Sequence, residues 1–225
     1  METITAEGTE CIVAHEGSPR ALIVQPTGTF EMDIIPDMLE DLRSCGIGFA
    51  YAAPVIPDWD SRLSPWNAPQ PRGTVPFGDG APETLKMIER TVIPAAKERM
   101  GLGDTPVVIG GYSLSGLFSL WAGTMSGTFD ICVGCSPSTW FKGWTDHAKK
   151  SAWIARAVYL SLGDTEHQTR NSILSRAKEC IEETYGILRE RGVETVLEWN
   201  TGGHFSDPGK RVARGFAWAL ERCNH

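Results

Sequence analysis

The stretch Val107-Val-Ile-Gly-Gly-Tyr-Ser-Leu-Ser-Gly-Leu-Phe-Ser-Leu-Trp-Ala-Gly123 decides the fold of this chain. Its first three residues form a short apolar run, which is typical of a buried strand in a parallel sheet. After Ser113 the apolar residues recur at helical spacing; they are Leu114, Leu117, Phe118 and Trp121. Because the hydrophobic period changes at Ser113, the sequence predicts a strand, a tight turn that carries this serine, and a helix.

Small residues flank Ser113 on both sides of the predicted turn. Gly111 precedes it by two positions and Ser115 follows it by two. A strained strand-to-helix turn requires small residues there, because a bulky side chain would collide with neighbouring backbone. The arrangement is typical of a nucleophile elbow, although the strict pattern G-x-S-x-G has serine here in place of its last glycine. The alternative is an ordinary glycine-rich turn with an inert serine.

Composition and charge limit the class of protein. With 225 residues, 41% of them hydrophobic, the chain is long enough for a single α/β domain over residues 1–225. Its net charge of −7 argues against nucleic acid or an anionic membrane as a partner. The N-terminal residues do not resemble a signal peptide, and no apolar run approaches the roughly 20 residues that span a bilayer. We therefore expect a cytoplasmic protein.

Six cysteines are scattered along the chain, and two of them form the CxxC pair Cys132 and Cys135. This pair lies inside the apolar run from Phe129 to Cys135, which predicts a buried strand. Buried strand thiols are therefore the favoured interpretation, and a redox or metal-binding pair is the alternative.

Predicted strands and helices alternate along most of the chain. After one or two edge strands between Ile4 and His15, strands are predicted at residues 21–25, 47–53, 107–112, 129–135, 158–162 and 193–199. Amphipathic helices are predicted between them, over residues 35–46, 82–100, 114–123 and 174–192, and a last helix begins at Pro208. This alternation predicts a mostly parallel central sheet with helices on both faces and no separate cap domain.

Two long connections carry an unusual number of aromatic residues. The loop at residues 54–80 is rich in proline and contains Trp59 and Trp66, and the segment at residues 136–151 contains Trp140. Both follow predicted strands, at the sheet edge where open α/β sheets bind ligands. We therefore predict that Trp59, Trp66 and Trp140 contact substrate. The alternative is that these rings only pack the loops onto the protein.

A serine becomes an effective nucleophile when a histidine removes its proton and a carboxylate orients that histidine. His204 lies in Gly202-Gly203-His204, between the last predicted strand and the last predicted helix, whereas His15, His147, His167 and His225 have no such position. The acid is expected after the preceding strand, where Asp164 and Glu166 both qualify. Glu166 is favoured because it lies three residues after Gly163 and has the longer reach. A Ser-His pair without an acid is a third possibility.

These motifs resemble the esterase D-like branch of the α/β-hydrolases. The resemblance rests on Gly111 to Leu117, Ser136 to Trp140, Gly163 to Glu166 and Gly202 to His204, and it extends from about Ala21 to the C-terminus. It implies the α/β-hydrolase fold, with Ser113 as nucleophile, His204 as base and an acidic residue after Gly163.

Together these features predict a serine carboxylic-ester hydrolase that works through an acyl-enzyme on a small-molecule ester, without a cofactor or metal. The predicted oxyanion donors are the amide of Leu114 and one amide from the loop after the first buried strand, either Gly28 or Thr29. The alternatives are an acyltransferase of the same fold and a non-catalytic binding module on a hydrolase scaffold. The complete set of Ser113, Glu166 and His204 argues against the binding module.

Overall fold

A computed structural model describes residues 1–223, which build one eight-stranded sheet. Its strands are β1 (Glu2–Ala6), β2 (Thr9–Glu16), β3 (Leu22–Val24), β4 (Phe49–Pro54), β5 (Val107–Tyr112), β6 (Ile131–Cys135), β7 (Ala157–Gly163) and β8 (Glu194–Asn200). They lie in the order β1-β2-β4-β3-β5-β6-β7-β8. β1 pairs with β2 and β2 with β4 in antiparallel fashion, and every other pairing is parallel. The predicted mostly parallel sheet is confirmed.

Helices cover both faces of the sheet, as predicted. They are α1 (Ile35–Arg43), α2 (Trp59–Arg62), α3 (Ala81–Met87), α4 (Ile93–Met100), α5 (Ser113–Met125), α6 (Trp144–Lys150), α7 (Ala177–Glu190) and α8 (Pro208–Arg222). Alternate residues of each strand point to opposite faces. In β5, Val107 and Ile109 pack in the core under α3 to α7, whereas Val108 packs in the core under α1 and α8. No separate cap is present among residues 1–223.

The helix predicted over residues 82–100 contains a change of period. α3 and α4 are joined by a π-helical turn at Ile88–Val92, and Pro94 follows at the start of α4. A proline has no N–H to donate and its ring crowds the preceding turn, so a helix often widens locally to accommodate it. The periodicity identified the helix, but this local adjustment depends on backbone geometry and was not predicted.

Both aromatic connections contain short helices that sequence periodicity did not reveal. The segment at residues 136–151 forms α6, and the loop at residues 54–80 forms α2 and an isolated antiparallel bridge between Ala68 and Phe77. Helices of one or two turns are too short to produce a clear hydrophobic period.

The pair Cys132 and Cys135 lies in β6, and both thiols are buried and free. Burial raises the pKa of each to about 12, so neither forms a thiolate near neutral pH. The interpretation as buried strand thiols is therefore confirmed. Within the described part of the chain, no cluster of three or more potential ligand residues is placed to hold a metal ion, and no helix is long and apolar enough to cross a bilayer.

Candidate active site

Ser113 lies on a strained turn at the carboxyl end of β5. Its φ angle is 55°, a left-handed value that is uncommon for a residue with a side chain, and α5 begins at this residue. A Cβ atom on Gly111 would lie 2.1 Å from Ser115 Oγ, so only glycine fits there beside Ser115. The hydroxyl of Ser115 donates to the carbonyl of Pro26 at 2.7 Å, which ties the turn to the segment after β3. Ser115, which replaces the last glycine of the motif, therefore contributes to the packing of this turn.

Three side chains from three different loops form a continuous hydrogen-bonded chain. Ser113 Oγ lies 3.1 Å from His204 Nε2, and His204 Nδ1 lies 2.7 Å from Glu166 Oε2. The loops follow β5, β7 and β8, whose carboxyl ends meet at the same edge of the sheet. Parallel pairing of β7 with β8 sets the residue after Gly163 beside the residue after Asn200, which brings the acid and the histidine together.

The second carboxylate oxygen of Glu166, Oε1, has three hydrogen-bond donors. Oε1 accepts hydrogen bonds from the backbone N–H of Gly163 at 2.7 Å, the hydroxyl of Ser136 at 2.6 Å and the guanidinium of Arg211 at 2.9 Å. Burial by itself would raise the pKa of this carboxyl group. Hydrogen bonds from His204, Ser136 and Gly163 outweigh burial and hold the pKa below its ordinary value. Glu166 is therefore ionised wherever the fold is intact near neutral pH.

Asp164, the other acidic candidate, has a different contact. Its Oδ1 accepts the backbone N–H of Gly202 at 2.8 Å and so joins the loop after β7 to the loop that carries His204. It shapes the approach of the two loops, while the carboxylate that meets the imidazole belongs to Glu166.

Arg211 is a buried cation that the sequence analysis did not identify. Only 2% of its side chain is exposed, and its Nη1 donates to Glu166 Oε1 and to the hydroxyls of Tyr112 and Ser136. Its Nη2 donates to two carbonyls of the histidine loop, those of Thr201 and Gly203. One guanidinium therefore binds the acid, the turn before Ser113 and the loop of His204. The signal that could have identified Arg211 is its position beside Val212 on the buried face of α8.

The hydroxyl of Tyr112 completes this network from the position next to Ser113. It donates to the backbone carbonyl of His204 at 2.7 Å, and the two rings are 5.2 Å apart. Tyr112, the variable residue between Gly111 and Ser113 in the motif, therefore holds His204 through its backbone carbonyl.

Two cavities adjoin His204, and one of them also borders Ser113. The first has a volume of about 260 Å³ and is lined by Ser113, His204 and Trp59 together with Phe30, Glu31, Ile34, Tyr112, Phe205 and Pro208. The second, of about 140 Å³, is lined by His204, Glu166 and Trp140 together with Arg72, Thr169, Leu174, Ala177 and Phe205. Trp59 and Trp140 thus line different cavities, and His204 borders both.

Trp66 does not line either of these cavities, and its contact with substrate stays a prediction. Its indole N–H donates to the carbonyl of Lys142 at 2.8 Å, and its ring packs against Phe141 at 5.9 Å and His147 at 5.3 Å. These contacts fasten the loop at residues 54–80 to the segment that contains α6. Trp59 and Trp66 therefore have different surroundings, although both belong to the same loop.

The backbone amides proposed for the oxyanion belong to Leu114 and to the segment after β3. Leu114 is in the first turn of α5, where amides have no partner within the helix. In the segment after β3, the N–H of Gly28 donates to the carboxylate of Glu31 at 3.2 Å. Thr29 is exposed and begins a 3₁₀ turn. Glu31 accepts the amide of Gly28 and not that of Thr29, so Thr29 is the candidate whose amide is not used by Glu31.

The remaining histidines lie elsewhere. His15 is exposed on β2, and His147 lies 2.9 Å from Thr124 Oγ1, with its pKa lowered by burial. His167 follows Glu166, and its Nδ1 has no hydrogen-bond partner within residues 1–223. His225 lies outside the described residues.

The strand order, the helices on both faces and the serine at the end of β5 define the α/β-hydrolase fold. The siderophore hydrolase EstB from Aspergillus nidulans is similar in structure, with a TM-score of 0.75 at 20% sequence identity over 98% of this chain and 93% of that chain. An IroE-like serine hydrolase from Shewanella oneidensis has a TM-score of 0.77 at 13% identity over 95% and 76% of the two chains.

A third similar structure is the enterobactin esterase FES from Shigella flexneri, with a TM-score of 0.72 at 15% identity; the match covers 99% of this chain but 59% of that longer chain. Comparisons with sequence-family profiles and with curated proteins gave no match. At these identities the likeness establishes the fold, and what the site does must be argued from its own residues.

Replacing Arg211 should destabilise the protein because Glu166 would keep its buried charge without its cation. Removal of one partner of a buried ion pair typically costs about 3–5 kcal/mol. We expect Arg211→Met to lower the free energy of unfolding by about 3 kcal/mol in urea titrations. Arg214→Met is the matched control, since Arg214 pairs with Glu198 at the surface and should cost about 1 kcal/mol or less. Equal losses in the two variants would contradict the assignment.

Proposed function

We propose that this protein is a serine carboxylic-ester hydrolase that acts through an acyl-enzyme. The observation that carries the proposal is the hydrogen-bonded chain from Ser113 through His204 to Glu166, with Ser113 held in a left-handed conformation at the start of a helix. The similar structures with esterase or serine hydrolase names support the same chemistry.

In the first half of the reaction, Ser113 Oγ attacks the ester carbonyl while His204 Nε2 takes its proton. The bond to the leaving alcohol then breaks, and the same nitrogen delivers the proton to the alcohol oxygen. Glu166 accepts the Nδ1–H of His204, which fixes the tautomer that leaves Nε2 free to accept a proton and stabilises the imidazolium that forms.

The negative charge on the carbonyl oxygen needs donors that are in place before the reaction. The N–H of Leu114 supplies one, aided by the positive end of the α5 dipole, and the N–H of Thr29 supplies the second. The hydrogen bond from Ser115 to the carbonyl of Pro26 holds the segment of Thr29 against the serine turn. In the second half, His204 removes a proton from water, which attacks the acyl-enzyme and releases the acid.

The two cavities divide the substrate between them. Trp59 and its neighbours form the mainly apolar wall of the larger cavity beside Ser113, which suits the acyl group. Trp140 and Arg72 line the smaller cavity beyond His204, the side toward which that histidine must deliver a proton to the alcohol. Every step of this reaction is supplied by protein groups and water, so it requires no cofactor.

Loss of the nucleophile tests the proposal most directly. Ser113→Ala should keep its fold by circular dichroism and lose at least about a thousandfold in kcat/KM for 4-nitrophenyl acetate. A fluorophosphonate probe should label the parent protein at Ser113, and the variant should take no label. Ser138→Ala is the control, because Ser138 Oγ lies 3.5 Å from Ser113 Oγ yet forms no hydrogen bond with His204 in the described structure. Full activity in Ser113→Ala would refute the mechanism.

The role of the acid can be separated from loop shape with two isosteric substitutions. Glu166→Gln removes the carboxylate that orients His204 and should lower kcat by about a hundredfold or more, though less than Ser113→Ala. Asp164→Asn preserves an oxygen for the N–H of Gly202 and should stay within about tenfold of the parent protein. If Asp164→Asn is the more damaging change, the assignment is reversed; if both variants stay active, a Ser-His pair suffices.

Two tryptophans of the same loop should behave differently. Trp59→Ala should raise KM for hydrophobic acyl esters by about tenfold with little change in melting temperature, because its ring lines the cavity. Trp66→Ala should lower the melting temperature by several degrees and leave kcat/KM at low temperature near the parent value, because its ring packs the loop. Kinetics and thermal unfolding measured on the same preparations check both. A kinetic defect confined to Trp66→Ala would contradict the placement of the rings.

A further inference from the structure

A buried acidic side chain lines the larger cavity beside Ser113, and the ester hydrolysis proposed above does not use it. Glu31 is 8% exposed and shares this cavity with Ser113, His204 and Trp59. It lies in the 3₁₀ turn Thr29–Ile34, which follows the segment that supplies the oxyanion amide.

The two oxygens of this carboxyl group have different surroundings. Oε2 accepts the N–H of Gly28 at 3.2 Å and the hydroxyl of Thr27 at 3.3 Å, so it stabilises the turn. Oε1 has no hydrogen-bond partner among residues 1–223, yet it is not sealed in the interior, and the residue borders the cavity. The structural role of Glu31 therefore accounts for one oxygen and leaves the other without a partner among the described residues, in a side chain that borders the cavity.

The charge of Glu31 is also uncompensated. Within the described residues no lysine or arginine pairs with it, in contrast to the pairing of Glu166 with Arg211. Burial raises its pKa to about 7, against hydrogen bonds from Gly28 and Thr27 that lower it. A buried carboxylate without a cation is costly, so a positive ligand in this cavity would gain the interaction that the protein does not supply.

The remaining walls suit an organic cation. Phe30 and Trp59 meet edge to face with ring centroids 5.1 Å apart, and Tyr112 closes the side next to Ser113. Aromatic faces around an alkylated ammonium group attract it through their quadrupoles, and a carboxylate adds charge attraction. A metal ion or a strongly hydrated cation would not match walls that are mostly apolar.

We propose that this cavity binds an alkylammonium group carried by the acyl part of the substrate, with Glu31 as the residue that determines this specificity. The proposal rests on the proposed ester hydrolysis and names its substrate class: esters of amine-bearing or quaternary-ammonium acids. The carboxylate at Oε1 faces the cation, and Phe30, Trp59 and Tyr112 surround its alkyl groups.

The test uses two esters of the same shape that differ only in charge. One carries an ω-trimethylammonio group on its acyl chain and the other an ω-tert-butyl group, and both release 4-nitrophenol. At about pH 8.5, above the raised pKa of Glu31, we expect kcat/KM for the cationic ester to exceed that for the neutral ester by about tenfold. Because both esters react through the same oxyanion site, the ratio of the two constants cancels any change in that site.

Two variants assign the preference to one carboxylate. Glu31→Gln retains an acceptor for the N–H of Gly28 and should reduce the cationic preference to about onefold, while the neutral ester is still hydrolysed. Asp33→Asn removes the same charge from an exposed position of the same turn and should keep the preference. No preference in the parent protein, or a preference that survives Glu31→Gln, would overturn the inference.

A binding measurement keeps this inference separate from the proposed hydrolysis. Phenyltrimethylammonium should bind Ser113→Ala in isothermal calorimetry, and the added substitution Glu31→Gln should weaken that binding by about tenfold. If the parent protein hydrolyses neither ester but this difference is found, the hydrolase proposal fails and the cation site stands. If the neutral ester is hydrolysed and phenyltrimethylammonium binds both proteins equally or neither, the cation site fails and the hydrolase proposal stands.

Discussion

The buried carboxylate of Glu166 is the group on which the arrangement at the sheet edge depends. Leaving water is unfavourable for an ionised side chain, and the protein offsets this cost with four hydrogen bonds, one of them from a buried guanidinium. The same bonds position His204, Ser136 and the loop after β7. Charge compensation and geometry are therefore one requirement here, because the donors that keep Glu166 ionised are also the contacts that hold the loops in place.

The parts of this arrangement that could be predicted from the sequence are those that leave a periodic or local signal. The change of period at Ser113, the alternation of strands and helices, and the loop position of His204 follow from backbone geometry that many sequences share. Glu166 was preferred over Asp164 by a count of residues and an argument about reach, and the structure puts Glu166 against the imidazole. Parallel strands bring their carboxyl ends to one edge, so the order of these residues along the chain predicted their meeting.

What the sequence did not reveal depends on side chains that meet across long separations. Arg211 and Tyr112 are 99 residues apart, and nothing local marks either as part of the site. Trp59 lines a cavity and Trp66 packs against the segment that contains α6. Both belong to a loop without periodicity, so the sequence does not reveal this difference. In sequence, Glu31 resembles an ordinary helix-capping residue. Its place in the wall of a cavity is visible only in the folded structure.

The position of Arg211 in α8 has a consequence for when the site comes into existence during synthesis. A ribosome makes Ser113, Glu166 and His204 before it makes this helix, and the tunnel hides the most recent residues. Until α8 emerges and docks, Glu166 lacks its cation and the histidine loop lacks two of its backbone contacts. A nascent chain that already contains Ser113, Glu166 and His204 therefore still lacks the contacts that join them until Arg211 takes its place in α8.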